Sequence, residues 1–373
     1  MQRPIKAYID LPALTHNLLI TRHYAPNAKI MAIIKANAYG HGLLHTAHAL
    51  RNADGFGLLE LEAAICLREA GFRHPILLLE GFFSTRELAL LEKYRLSTVI
   101  HHDEQLAMLT GCNHRELDIF LKINTGMNRL GFASERFPSI IKQLSGNPAV
   151  SQITLMTHFA TADGTTDNTQ FHKQLQVFDQ ITGLTAMPCT LANSAATIRY
   201  PEAHRDWVRP GLMLYGASPF AAHRGEDFKL KPVMSLTSKI IAIQHLKQGD
   251  IVGYGGNFQT DRPMRIGIVA CGYADGYPRH APTGTPVLVN DLRSRLIGKV
   301  SMDMLAVDLT ELPNISINST VTLWGNGLPV EDIARAADTI SYELLCALPT
   351  RVELEISQEE SQSSATRICV ESK

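Results

Sequence analysis

Ile30-Met31-Ala32-Ile33-Ile34-Lys35-Ala36-Asn37-Ala38-Tyr39-Gly40-His41-Gly42 decides how the chain is read. Five apolar residues in a row, without alternation, read as a strand buried on both faces of a parallel sheet. A polar turn with two glycines then marks the strand's C-terminal end. Seven further runs of the same texture follow: Gly55–Leu59, Pro75–Leu79, Ser97–His101, Asp118–Asn124, Gln152–His158, Cys189–Ser194 and Asp206–Arg209. Amphipathic helical stretches lie between them, such as Glu60–Ala70, stopped by Gly71, and Glu104–Leu109, opened by Asp103 and stopped by Gly111. Eight strand–helix units with no early G-x-G-x-x-G turn predict an α/β fold, a closed N-terminal (β/α)8 barrel rather than an open doubly wound sheet.

Beyond Phe228 the texture changes. Ser235–Gln244, Ile251–Tyr254, Ile266–Gly272, Pro286–Val289, Ser294–Gly298, Leu305–Leu309 and Thr320–Trp324 read as short strands divided by Gly, Pro, Asn and Asp. They predict a C-terminal all-β domain. Lys6–Asp10 is strand-like but surplus to the barrel, so it is expected to pair with that domain. The expected division is residues 10–228 for the barrel, 1–9 with 229–357 for the β domain, and 358–373 as a polar tail.

Composition narrows the function. Among 373 residues, 45% are hydrophobic, and 35 Lys and Arg balance 36 Asp and Glu. A large core is available, but no charge excess exists to hold nucleic acid or an anionic membrane. No leader-like or spanning apolar run is visible, and Cys66, Cys112, Cys189, Cys271, Cys346 and Cys369 form no Cys-x-x-Cys pair. A cytoplasmic protein with reduced, packing cysteines is expected. His41, His45 and His48 have a metal-like spacing, but nothing joins them in register; they read as a solvated helix face, and no metal is expected.

In such barrels the chemistry sits at the C-terminal ends of the strands. Lys35 stands there. A lysine held at an apolar barrel mouth is desolvated, which favours a free amine able to form an imine with an aldehyde; the plain alternative is a side chain snorkelling to water. Strand seven ends in Ala192-Asn193-Ser194-Ala195 and strand eight in Arg209-Pro210-Gly211-Leu212. Small residues in those loops let backbone N–H groups approach a phosphate. An aldehyde site beside a phosphate site describes pyridoxal 5'-phosphate. In strand five, Phe120-Leu121-Lys122-Ile123-Asn124 buries a lysine close to Arg129. Two cations in one pocket call for an anion between them.

Five strings, Lys35–Gly42, Asn124–Gly131, Arg209–Gly211, Gly272–Gly276 and Ser301–Met304, in this order and over both parts of the chain, resemble the alanine racemase family. The resemblance runs from about residue 4 to residue 354. It implies a homodimer with shared active sites that interconverts L- and D-alanine on pyridoxal phosphate, supplying D-alanine for peptidoglycan or degrading it. Lys35 would hold the cofactor as an internal aldimine and act as one base, with Tyr254 of the partner chain as the other; read alone, Tyr254 is a tyrosine in a glycine-rich hairpin. Arg209 would face the pyridine nitrogen and His158 would orient it. Tyr39, Asn193, Ser194, Gly211, Leu212 and Tyr342 would bind the cofactor, chiefly its phosphate. Arg129 and Met302 would contact the substrate, Lys122 would carry a carbamate, and Tyr273 and Arg279 would line the mouth. A phenol must shed its proton to serve as a base, so activity is expected to rise toward alkaline pH. A decarboxylase on the same barrel would want a carboxylate opposite the pyridine nitrogen. A mere cofactor carrier would not need Tyr254 or Met302, and a cofactor-free aldolase would be colourless.

Overall fold

The computed structural model describes residues 3–110, 116–164, 168–183 and 185–357. Eight strands, Lys29–Ile33, Gly55–Leu58, Ile76–Leu78, Ser97–Ile100, Leu117–Asn124, Val150–Met156, Cys189–Thr190 and Trp207–Val208, pair in parallel in chain order. The eighth returns to the first through Trp207 opposite Lys29 and Val208 opposite Ile30, which closes the barrel. Ile30, Met31, Ala32, Phe56, Leu58, Ile76, Leu77 and Val99 are all buried, as the unbroken apolar runs require.

Outer helices follow local rules. Leu11–Tyr24 begins with Asp10 accepting from the Ala13 N–H at 3.0 Å, with Pro12 in its first turn, and buries Leu14 and Leu18. An N-cap of this kind is worth about 1 kcal/mol. Thr169–Thr182 buries Phe171, Leu175 and Phe178; each such side chain contributes about 1.5–3 kcal/mol by leaving water. The helix Asp103–Leu109 is capped by His102, whose ring accepts from Glu104 N–H, while Asp103 instead pairs with Arg136. Gly111, its expected stop, lies outside the described residues, as do the tail 358–373, Cys112 and Cys369.

The second region is a mostly antiparallel eight-stranded sheet. Its long strand Met234–Leu246 pairs with Met264–Val269, Thr320–Trp324 and, as expected, Lys6–Ile9. Lys6–Ile9 also lies parallel to Glu353–Ile356, so the first and last strands of the described residues are fastened side by side in this sheet. Two helices, Val330–Ala336 and Ser341–Cys346, interrupt the β-rich region; both are short, and the β-strand reading of the sequence did not anticipate them. Two expectations are corrected. His41 precedes the helix Leu43–Ala49 and is fully buried, so the three histidines do not share a solvated face. Cys346 is exposed rather than packed.

Candidate active site

Lys35 follows the first barrel strand, and the backbone beyond it turns left-handed. Ala36, Asn37, Ala38 and Tyr39 have φ of 53°, 51°, 55° and 53°, and Gly40 has φ of 81°. For residues with a Cβ this costs roughly 1–2 kcal/mol each, so tertiary contacts must hold it. His41 does part of that. Its Nδ1 donates to the carbonyls of Ala38 at 3.0 Å and Tyr39 at 2.8 Å. Burial pushes its pKa down to about 4, which keeps the ring neutral. The imidazole packs on Tyr215 at 4.6 Å, Tyr215 stacks on Tyr39 at 4.6 Å, and the Tyr215 hydroxyl donates to the Ile33 carbonyl at 2.9 Å. The turn is thereby tied to the strand that precedes Lys35.

Above it opens a cavity of about 950 Å³ at the C-terminal end of the barrel. Its walls include Lys35, Tyr39, Lys122, Arg129, His158, Asn193, Ser194, Arg209, Gly211, Leu212 and Tyr342. Tyr342 comes from the helix Ser341–Cys346, so the β-rich region closes one side. Glu80, His101, Met127, Asp163 and Cys346 also face this space; Met127 lies within the Asn124–Gly131 string, but sequence reading gives it no role, and the other four sit in stretches with no distinguishing spacing.

Cations dominate the interior. Arg209 is buried, donating to the Thr190 hydroxyl at 2.7 Å and the carbonyls of Thr157 at 2.7 Å and Leu191 at 3.1 Å. Burial lowers its pKa to about 9, so it remains a cation at neutrality. His158 Nδ1 accepts from Arg209 at 3.3 Å, which fixes the ring as a neutral acceptor; burial and the neighbouring Arg209 hold its pKa well below the usual value. Lys122 has its pKa pushed down to about 8 by burial and by Arg209 and Arg129. Among the described residues no carboxylate lies within ion-pair distance of it.

On the opposite side Gly211 donates its N–H to Ser194 Oγ at 2.9 Å. A Cβ at Gly211 would stand 2.5 Å from the Tyr39 hydroxyl. Since Tyr39 is stacked on Tyr215 and cannot easily retreat, Gly211→Ala must tilt the phenol or open the loop. The expected result is a loss of phosphate-compound binding of at least about tenfold, the worth of one charge-assisted hydrogen bond. A titration with pyridoxal phosphate followed by absorbance checks it; unchanged affinity would mean the cradle has slack.

Tyr254, Met302, Tyr273 and Arg279 are not in this chain's cavity. Tyr254 is 74% exposed in the hairpin between Ile251–Val252 and Phe258–Gln259, among glycines 253, 255 and 256 of positive φ. Met302 is 54% and Tyr273 37% exposed, and Arg279 is exposed too. No group of three His, Cys, Asp or Glu among the described residues is disposed to hold a metal ion, and no helix among them is long and apolar enough to cross a membrane.

Comparison with known proteins supplies the family. Residues 9–219 match the model described as alanine racemase, N-terminal domain, and residues 233–356 match alanine racemase, C-terminal domain. The alanine racemase of Nitrosospira multiformis is 58% identical over 354 residues, covering 95% of this chain and 99% of that protein. That of Nitrosomonas europaea is 58% identical over 358 residues, covering 95% and 98%. Among solved structures, the biosynthetic alanine racemase of Pseudomonas aeruginosa is similar at a TM-score of 0.93 and 43% identity, covering 96% of this chain and 100% of its own.

Proposed function

Since the chain belongs to the alanine racemase family, we propose that it is a racemase, an isomerase that interconverts L- and D-alanine in the cytoplasm with pyridoxal phosphate. One observation carries the reading: Lys35 opens onto a cavity walled by Lys122, Arg129 and Arg209, with Tyr39, Ser194 and Gly211 forming a cradle beside it. These residues fit the cofactor. The buried cations Lys122 and Arg209 lack ion-paired carboxylates among the described residues, and the cradle is so close at Gly211 that a Cβ there would stand 2.5 Å from the Tyr39 hydroxyl. We divide the chain into a barrel, 10–228, and a β region, 1–9 with 229–357.

In this reading Lys35 holds the cofactor covalently, and Tyr39, Asn193, Ser194, Gly211, Leu212 and Tyr342 hold its phosphate and ring. When bound, the cofactor supplies an electron-poor ring that accepts the pair left when the α-proton departs. Arg209 would be the residue opposite the ring nitrogen; a guanidinium keeps its proton, which would weaken the sink and disfavour side reactions. His158 keeps Arg209 aimed. Arg129 binds the substrate carboxylate, with Met302 contributing from the partner. Lys35 Nζ takes or returns the α-proton on one face of the substrate. The Tyr254 hydroxyl of a second copy does so on the other, which requires a homodimer; Tyr273 and Arg279 of that copy flank the mouth. D-alanine formed this way would enter peptidoglycan or, in the reverse direction, be degraded.

Lys122 takes part through its free amine, which adds CO2, loses a proton and becomes a carbamate, an anion beside Arg129. The same depressed pKa has a cost. Between about 8 and 10.5 the unfolded chain holds a proton that the folded chain has shed, so stability rises with pH across that window and is lowest below it. Lys122→Met should therefore stabilise the cofactor-free protein in CO2-depleted buffer at pH 7 by on the order of 3 kcal/mol. The gain should fade toward pH 10, while the racemase rate falls. Urea unfolding at both pH values checks it; a pH-independent difference would remove titration of Lys122 as the cause. Chiral analysis of products from a panel of L-amino acids tests the function as a whole. D-alanine formed faster than any other product supports it, and no racemisation overturns it.

A further inference from the structure

Two arginines from opposite ends of the chain meet two aspartates behind the loops that carry Tyr273 and Met302. Asp275 is fully buried. One of its oxygens accepts from the Gly272 N–H at 2.9 Å and from Arg3 at 3.0 Å, and the other accepts from Arg351 at 2.7 Å. Asp303, the residue after Met302, accepts from Arg3 at 3.1 Å and Arg351 at 2.5 Å, and its carbonyl accepts from Arg3 at 2.8 Å. The loop backbones are joined as well: Tyr273 N–H donates to the Ser301 carbonyl at 3.0 Å and Ala274 N–H to that of Met302 at 2.9 Å. A Cβ at Gly272 would stand 2.4 Å from the Met302 carbonyl, so the two loops approach as closely as bare backbone permits.

We propose that Arg3, Arg351, Asp275 and Asp303 are positioning residues, a clamp that fixes Tyr273 and Met302 as one rigid unit for presentation to the partner's cavity. The inference rests on the reading that those two residues serve the partner subunit. Their side chains are exposed, so core packing does not hold them, and segments of that kind open readily unless hydrogen bonds close them. A guanidinium is a planar fork that can bridge two carboxylates in a fixed geometry. Two forks crossing two carboxylates leave a single arrangement. Both forks are also anchored: Arg3 precedes the strand Lys6–Ile9 and Arg351 precedes Glu353–Ile356, and these strands pair with each other.

Two tagged heterodimers, both loaded with pyridoxal phosphate, test this with the same pair of substitutions, Lys35→Ala and Arg351→Met. In the first dimer both substitutions lie on one chain, so the competent cavity, in the unaltered chain, receives its loops from the loosened clamp. In the second they lie on different chains, and the competent cavity receives loops from an intact clamp. The expected kcat/KM of the first is about 100-fold below that of the second, the scale of an ångström misplacement, and the second matches wild type per competent site. Asp303→Asn in place of Arg351→Met, which leaves buried Asp275 paired, should give the same order. Equal activity at the wild-type level, or equal loss in both dimers, overturns the clamp while leaving the shared site intact. The reverse order, with the first dimer active and the second impaired, overturns the shared site itself.

Discussion

Lys35→Ala should reduce conversion of L-alanine to D-alanine by at least about 10⁴-fold, because the proposed mechanism gives one side chain two duties. In the proposed reading it would fix the cofactor, and from the end of the first strand it would also return a proton to one face of the substrate. Loss of a general base alone costs about 10² to 10⁴; loss of the covalent anchor adds to it. The residues that would bind phosphate remain, so the variant should still take up pyridoxal phosphate, more weakly and without the yellow protein-bound absorbance. Borohydride treatment of the wild type should fix the cofactor's mass to the peptide containing Lys35, and the variant should carry none. Label on Lys122, the other lysine in the cavity, would assign the anchor to the wrong strand and overturn the mechanism.

Tyr254→Phe is the second large expected effect, about 10² to 10⁴ in rate, since it would remove one of the two proposed proton carriers while leaving the cofactor-binding residues in place. Its sign is selective. Exchange of the α-proton should persist from the face served by Lys35 and fail on the other, so deuterium uptake should continue on one enantiomer only. The exposure of Tyr254 in a single chain gives a sharper test. When Lys35→Ala and Tyr254→Phe chains are mixed, random pairing makes half of the dimers mixed, and each contains one cavity with both groups. Activity should return to about a quarter of wild type. No recovery on mixing, with mixed dimers verified by mass, would show that each chain builds its site alone.

Much of this architecture was legible in the sequence because it follows from local rules. A strand buried on both faces has to be apolar throughout, so the eight runs declare themselves, and loops after strands one, five, seven and eight hold Lys35, Arg129, Ser194 and Arg209 wherever the helices fall. The surplus strand Lys6–Ile9 was visible for the same reason. What escaped were features that exist only once distant segments meet. His102 as a cap, the helix bringing Tyr342, and the walls built by Glu80, His101 and Asp163 have no periodicity of their own. His41 read as one of three surface histidines until packing placed it under Tyr215.

Residue types and their order therefore determined the barrel, the β region and the position of the lysine proposed to be the reactive amine, since hydrophobic period and strand-end position are properties of short stretches. The tertiary structure decided the charges and the strain. Lys122 loses much of its affinity for a proton only because closure of the barrel removes water from around it and brings Arg209 and Arg129 beside it. The left-handed turn after Lys35 is held by tertiary contacts, among them those of His41 and Tyr215. Both are sums over residues far apart in the chain, and electrostatic energy and packing depend on distance in space, which no local pattern records.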